Sequence, residues 1–516
     1  MSYRVVWFKR DLRWQDHAAL AEAARLGPVL CLYIVEPSLW REPDAARQHL
    51  EFIRESLREL HRQLRAQGGG LHLMVGEATE ALARLHAARP FASLHSHEET
   101  GNSASYERDK AVARWCRAQG LAWTEHQGFG VQRRLASRNQ WAGQWEAHMA
   151  QPLAQPGPMQ FAPAPCPADA WPSLQDLGLD GYQPPARQLG GRSLGLHVLQ
   201  DFLALRSGQY RGGISSPLSA PSACSRLSPY LSYGCLSLRE VVQATQGQLC
   251  EIHGDPRHRA RQAGLENFLS RLHWHCHFIQ KLESEPEIEW RNMHRGYDGL
   301  REDAFNPAHF EALQAGRTGW PLVDACVAML RETGWINFRM RAMLVSVAAY
   351  PLWLHWRPVG QWLARQFLDY EPGIHWSQMQ MQSGTTGINL TRVYNPIKQA
   401  KDHDPQGRFV RQWLPGLRRV PDAWLFEPWR MPAELQERCG ARLGQEIALP
   451  PVDLALNTRA AKDKMHGLRR QAQVQAGNAQ VIDKHASRAS RHRMTDRQKS
   501  ASRPPAPARD QLSLDL

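Results

Sequence analysis

The chain has 516 residues with 42% hydrophobic content, too long for one ordinary core, so a globular protein of two domains with additions is expected. Lys and Arg outnumber Asp and Glu by 63 to 50, a net charge of +13 with a pI near 9.5, which favours a polyanionic partner such as nucleic acid. Nine scattered cysteines without a CxxC pair indicate neither a disulfide framework nor a zinc ribbon and point to a reducing compartment; no apolar run reaches spanning length and MSYRVVWFKRDLR is no signal peptide, so a cytoplasmic, soluble protein with no membrane partner is expected.

In chain order, residues 1–135 alternate apolar runs (RVVWF, VLCLYIV, LHLMV, FASLH) with amphipathic ones. Leu50, Ile53, Leu57, Leu60 and Leu64 recur at helical spacing, and the GGG at 68–70 ends that helix. This rhythm predicts an α/β domain: a Rossmann-like parallel sheet with helices on both faces and ligands beyond the carboxyl ends of the strands. Residues 136–195 read as a Pro-rich connector, because nine of the 34 prolines fall within 151–191. Residues 196–455 turn helical, with amphipathic runs such as HVLQDFLALRSGQY and GQWLARQFLDY, and predict an all-α unit. The stretch 456–516 reads as a basic, disordered tail, since 461–516 carries twelve Lys/Arg against five Asp/Glu. Nineteen tryptophans, several of them between Trp335 and Trp376, suit core packing first and redox chemistry second.

Within the helical half, CSRLSPYL sets hydroxyls and a proline ahead of a leucine-rich run. Ser228 there is either a helix N-cap followed by Pro229 or, with Ser225 and nearby backbone N–H groups, part of a cradle for a diphosphate. The choice turns on context. VVWFKRDLRWQDHAALAEAARLG with VLCLYIVEP, SRLSPYLSYGCLSLREV, GRTGWPLVDACVAMLRETGW, FLDYE and RVYNPIKQAKDHDPQGRFVRQWLP occur in an order and at spacings that together resemble the cryptochrome/DNA photolyase family, from residue 3 to about 430.

That resemblance implies an all-α C-terminal FAD-binding domain, with a bent FAD beside a DNA-facing cavity, and an N-terminal domain that accommodates an antenna chromophore of the folate or deazaflavin type. Carried over position by position, it implies that Tyr210, Cys224, Ser225, Arg226, Leu227 and Ser228 hold the phosphates, with Cys224 where threonine is usual. Arg271, His275, Phe278, Arg341, Asp369, Tyr370, Glu371 and His375 would complete the cofactor set. Arg341 paired with Asp369 would stabilise an anionic reduced flavin by its fixed charge. The residue facing flavin N5 falls on His375 or Gly373.

Several positions depart from the repair pattern. Trp274 keeps a lesion-contacting tryptophan, but the usual glutamate is Arg271 and the following arginine is His275. The implied catalytic set is therefore Arg341, Asp369, Trp274 and Arg271, where arginine still donates a hydrogen bond to a dimer carbonyl with a fixed charge. The usual asparagine falls on Phe338, with Asn337 one position earlier, so Trp274, Asn337, Phe338 and Arg339 form the DNA-facing set. Trp356 matches the middle member of the family's electron-transfer chain; the outer and inner members are lost, and Trp376 or Trp353 are the substitutes in reach. His273, His275, Cys276 and His277 do not make a metal site on a helix, because 273 and 277 share a face that 275 does not, so no metal is expected.

The chain ends in QLSLDL, and Gln511, Leu514 and Leu516 resemble the hexapeptide that binds the bacterial sliding clamp. The resulting expectation is a monomeric, light-driven DNA-repair flavoprotein acting on damaged DNA, the alternatives being a cryptochrome-like blue-light sensor and a nucleotide binder that has lost photochemistry.

Overall fold

The computed structural model describes residues 2–388 and 393–486. Five strands, β1 (Arg4–Phe8), β2 (Leu-rich Val29–Val35), β3 (Leu71–Val75), β4 (Ser93–His97) and β5 (Ala122–His126), form one sheet in the order β3-β2-β1-β4-β5. Every pairing is parallel, with Val6 opposite Cys31 on one side and His95 on the other. Strand side chains alternate between two cores: Val6 and Phe8 face the helices Ala18–Leu26 and Arg47–Ala66, whereas Val5 and Trp7 face Ala78–Ala88 and Ser103–Ala118. The doubly wound α/β domain expected for the N-terminal part is thus present, and its strand order reverses between β1 and β4, where such sheets open a crevice.

The connector is shorter than the expected 136–195. A helix, Trp141–Ala150, buries Trp141, Trp145 and Met149, so the long irregular stretch runs from 151 to 191. The proline-rich stretch then straps the sheet: Val29 donates to Gln160 O and accepts from Ala162 N, both at 2.9 Å.

The second domain is all helical and is built on Arg259–Ser284, whose 26 residues extend about 39 Å at 1.5 Å per residue. Ser207–Gly213, Leu238–Ile252 and Pro372–Ser383 pack against it, and Phe338–Ala349 and Trp356–Gln366 pack in turn on the last of these. The domains lock through the chain after β1: Arg10 Nε donates to Ser232 O at 3.0 Å and Arg13 Nη1 to Gly234 O at 3.0 Å. Gly234 has φ +63°, and a Cβ there would lie 2.3 Å from Arg10 O, so the backbone approach needs glycine.

The expected disorder from residue 456 is corrected as far as 486. Leu454–Arg469 and Ala472–His485 are helices, the first capped by Asp453 accepting from Leu456 N. Ala461, Met465 and Val474 pack on Tyr297, Ala349 and Tyr350. A polar composition hid this narrow stripe of Ala and Met at helical spacing, which suffices because the helical domain supplies the aromatic partners. Gln511, Leu514 and Leu516 lie outside the described residues. Among those described, no helix is long and apolar enough to cross a membrane.

Candidate functional site

A cavity of about 950 Å³ opens in the helical domain, at the upper end of what small-molecule and cofactor sites occupy. Its wall on Arg259–Ser284 is set by helical spacing: Phe268, Arg271, Trp274, His275 and Phe278 fall on one face and all line it. His273 and His277, one turn apart on another face, pack against Trp141 at 4.8 and 5.8 Å instead.

The serine turn supplies the opposite wall with Cys224, Ser225, Arg226 and Ser228. Ser228 is not an N-cap; the helix begins at Ser228 without a side-chain cap, and its hydroxyl hydrogen-bonds the Asp369 carboxylate. Arg226 adopts the left-handed conformation, φ +62°, and its guanidinium lies 3.8 Å from the Trp335 ring centroid. Burial lowers the pKa of Arg226 to about 10, so it stays charged at neutral pH, and raises that of Cys224 to about 11, so the thiol stays neutral. Leu227 contributes no side chain; it is fully buried in the core. Tyr210 lines the cavity, packs on Phe202 and Phe268 at 5.5 and 5.8 Å, and hydrogen-bonds Arg271.

At the inner end, Arg341 grips Asp369 with two hydrogen bonds of 3.0 Å, while its Nε donates to Ile336 O at 2.8 Å and its face covers Phe367 at 4.2 Å. Burial pushes the Asp369 carboxyl up, but Arg341 and the Ser228 hydroxyl bring it below the ordinary range. The outer rim carries Phe338, 41% exposed, with Arg339, and across from them Asn395, Lys398 and Gln399. Five cations (Arg226, Arg271, Arg339, Arg341, Lys398) face two carboxylates (Asp369, Asp402) around the cavity, a potential suited to anionic ligands.

Four expected cofactor residues are not in this wall. Besides Leu227, the segment after Asp369 is extended, so successive side chains diverge. Tyr370 reaches the N-terminal domain and donates to Asp44 at 2.5 Å. Glu371 pairs with Arg10 at 3.1 Å and, with burial dominant, rises to about 7. His375 turns its Nε2 to Gly360 O at 2.9 Å, and Ile374 and Gln378 of the same helix line the cavity in its place. Asn337 borders the cavity, but its amide donors are committed to Ile214 O and Ser215 O at 2.9 and 3.0 Å, so it holds a loop and is not free for a base. Met381, Gln382, Trp335 and Tyr394 also line the cavity and were not singled out in the sequence; helical spacing from Gln378 would have found the first two.

Behind Pro372–Ser383, Trp376 and Trp356 lie edge to face, 5.9 Å between centroids, each 1% exposed. Gly360 allows this contact: a Cβ there would sit 2.5 Å from Trp376. Trp356 Nε1 donates to Asn292 Oδ1 at 2.7 Å. Trp353 is not part of the pair; it packs with Tyr350 and Met465, between Arg301 and Lys464, each 4.6 Å from its ring. Two flanking cations oppose formation of an indole radical cation, so Trp353 is a poor substitute in an electron chain.

Among the described residues, one group could bring three metal ligands together: Asp11, His17 and His97, all buried. Its hydrogen bonding argues otherwise. His17 Nδ1 accepts from Leu20 N at 3.0 Å, which puts the ring proton on Nε2, and Nε2–H faces Asp11 Oδ2 at 2.9 Å while His97 Nδ1 does so at 2.7 Å. Lys9 N and His97 Nδ1 already donate to the carboxylate, and a metal on His17 Nε2 would have to displace the proton that the Leu20 N–H bond to Nδ1 fixes there.

A second crevice, about 150 Å³, opens beyond β1 and β2 between the domains, lined by Trp7, Tyr33, Glu36, Trp40, His49, Arg108 and Tyr370. Arg108 pairs with Glu36 at 3.1 Å and lies 4.9 Å over Trp7.

The donor set of the main cavity fits a flavin dinucleotide: hydroxyls and an arginine on the serine turn for a diphosphate, and an arginine–carboxylate pair with aromatic and apolar walls for a ring. Comparison with known proteins agrees. The family model described as DNA photolyase matches residues 4–131, and that described as the FAD binding domain of DNA photolyase matches residues 268–467. The chain is 28% identical to a cryptochrome DASH of Gloeobacter violaceus over 87% of this chain and 93% of the relative. It is 27% identical to a deoxyribodipyrimidine photo-lyase of Streptomyces griseus over 91% of this chain and all (100%) of the relative. Among solved structures, a class III photolyase of Agrobacterium tumefaciens has a TM-score of 0.76 at 25% identity, covering 91% of this chain and 98% of its own. An archaeal photolyase of Sulfolobus tokodaii, described with two FAD molecules, has a TM-score of 0.71 at 23% identity, covering 90% and 99%.

Proposed function

The chain belongs to the cryptochrome/DNA photolyase family and carries its FAD-binding domain, and from that premise we propose that it is a light-driven DNA-repair flavoprotein that splits pyrimidine dimers in damaged DNA. The observation that carries this reading is the single cavity in which a serine turn and the Arg341–Asp369 pair lie inward of a rim bearing Arg271, Trp274, Phe338, Arg339 and Lys398. FAD, when bound and reduced, supplies an electron to the lesion after absorbing blue light. The chain's own residues position and shield. Ser225 and Arg226 hold the phosphates, joined by Ser228 when its hydroxyl turns from Asp369 to the ligand; Arg341, kept in place by Asp369 and Ile336 O, presents a fixed positive charge beside the ring.

A lesion must leave the stack to reach that depth, and a poorly stacked dimer does so at a reduced cost. Trp274 and Phe338 offer faces for the extruded bases, Arg271 donates to a dimer carbonyl, and Arg339 and Lys398 contact flanking phosphates. Trp376 and Trp356, in edge-to-face contact and both buried, are the pair through which an electron would pass to the cofactor. The crevice beyond β1 and β2, at about 150 Å³ below the usual size of a cofactor site, would have to open to hold an antenna chromophore, and QLSLDL would tether the protein to the sliding clamp, the latter supported by sequence alone.

Purified protein with ultraviolet-damaged DNA under blue light tests the proposal. Photoproduct loss in light and none in darkness is expected; no repair of either major photoproduct would overturn it. One observation favours a second reading, a blue-light sensor: the C-terminal helices are latched onto the helical domain through Lys484 and His485, 2.8 and 2.7 Å from Glu285. A protease digestion pattern that changes with illumination would support the sensor, and an unchanged pattern would count against it.

A further inference from the structure

Arg206 lies outside the cavity wall, yet it is the most heavily bonded group behind the serine turn. It ends a π-helical turn, Phe202–Arg206, in which Ser207 N donates to Phe202 O, five residues back. Such turns recur at functional sites because the extra residue re-aims the side chains around it. The first residue, Phe202, packs on Tyr210 and Phe268 at 5.5 and 4.8 Å, both of which line the cavity. The guanidinium of the last residue gathers the loop: Nη1 donates to Ser222 O at 3.2 Å and to Cys224 O, and Nη2 to Ser225 O at 3.2 Å and Val198 O at 3.4 Å. Its Nε bonds the Asp201 carboxylate, which fixes the fork, and its face lies 5.5 Å from the Phe202 ring.

We infer that Arg206 is a positioning residue for the phosphate cradle. It draws three loop carbonyls, of residues 222, 224 and 225, toward a group that does not line the cavity. A carbonyl oxygen turned inward would repel a phosphate, so holding these three outward leaves the turn's hydroxyls and N–H groups to meet the anion. The planar fork is what permits one side chain to reach all three, and lysine, with a point charge and no fork, replaces it only in part. Nothing in this arrangement acts on a flavin lacking phosphates.

This inference rests on the proposed reading that the dinucleotide's pyrophosphate lies on the serine turn, and the test separates the two. The full-length chain, stripped of flavin, is titrated with FAD and with riboflavin, which lacks phosphates, in wild-type, Arg206→Met and Arg206→Lys forms, with the far-ultraviolet circular dichroism checked for each. Wild type is expected to bind FAD far more tightly than riboflavin; equal affinities would overturn the reading of the turn and the inference with it. Given that preference, Arg206→Met is expected to weaken FAD by about 10- to 100-fold with riboflavin within about 3-fold, and Arg206→Lys to recover part of the loss. Unchanged FAD binding, or equal losses for both flavins, would overturn the role of Arg206 while leaving the serine turn intact. If Arg206→Met does not fold, Arg206→Lys decides alone: a selective loss for FAD supports the inference and no loss overturns it.

Discussion

Arg341 and Asp369, 28 residues apart and on different elements, meet in two parallel hydrogen bonds of 3.0 Å at the inner end of the cavity. The pair is asymmetric: the Arg341 side chain is 22% exposed and that of Asp369 only 5%. Both border the space a ligand would fill, the arginine the more open of the two and the carboxylate its buried anchor.

Arg341→Met leaves that buried carboxylate with the Ser228 hydroxyl but without its main cationic partner and should cost up to about 3–5 kcal/mol of stability, whereas Asp369→Asn, which keeps shape and removes charge, should cost less. Urea denaturation of the two variants checks the order. A larger loss for Asp369→Asn would mean that the bond from the Ser228 hydroxyl, not the Arg341 pair, is the carboxylate's main contribution to stability.

Trp356→Phe or Trp376→Phe should slow light-driven reduction of the bound flavin by about 10-fold or more, and Trp353→Phe should leave it within about 2-fold, a barrier difference near 1.4 kcal/mol or greater separating the two classes. Time-resolved absorption after a blue flash reads all three. Gly360→Ala should behave like the first two, since its Cβ would displace the Trp376 ring.

Arg271→Glu should alter lesion handling more than cofactor retention. A carboxylate replaces a fixed cationic donor at the lesion side, so the yield of dimer splitting per bound flavin should fall by about 10-fold or more, a larger loss than any fall in flavin content from the broken bond to Tyr210. Equal losses of both would place Arg271 on the flavin instead.

Burial lowers His49, His97, His275 and His375 from 6.5 to about 4. Between those values the unfolded chain binds more protons than the folded one, so each of them makes stability fall as pH drops from 6.5 towards 4, at about 1.4 kcal/mol per pKa unit. Asp369, held below its usual value, adds its own loss only at still lower pH. Buried Glu36, Glu98, Glu289 and Glu371, raised to about 7, act in the opposite sense over much of the same interval, so the rings are read by difference: His275→Gln and His375→Gln should each make the melting temperature fall less as pH drops from 6.5 towards 4, and an unchanged pH profile would contradict neutral burial of these rings.

The parts legible in the sequence are those where chemistry and spacing coincide. Arg271, Trp274, His275 and Phe278 stand at helical intervals on one face, and Ser225 with Ser228 sit in a compact turn, so their grouping follows from local geometry. Tyr370, Glu371 and His375 leave the cavity wall because an extended segment entering a helix sends neighbours in different directions, and only the tertiary partners Asp44, Arg10 and Gly360 O decide where each goes. Trp353 was grouped with Trp356 by nearness in sequence, but its φ of +53° turns it toward Arg301 and Lys464. The helices within 454–485 were lost to composition, which cannot register how little apolar surface is needed when Tyr297 and Tyr350 wait to receive it.

The central claim is that the helical cavity holds a flavin dinucleotide by the serine turn and the arginine pair. Release of the flavin from purified full-length protein by denaturation, with identification and quantification against the chain, tests it most directly, using Ser225→Ala/Ser228→Ala and Arg341→Met variants alongside. The account predicts near-equimolar FAD in the wild type and a marked fall in both variants. Recovery of no flavin, or of undiminished FAD from both variants, would contradict it.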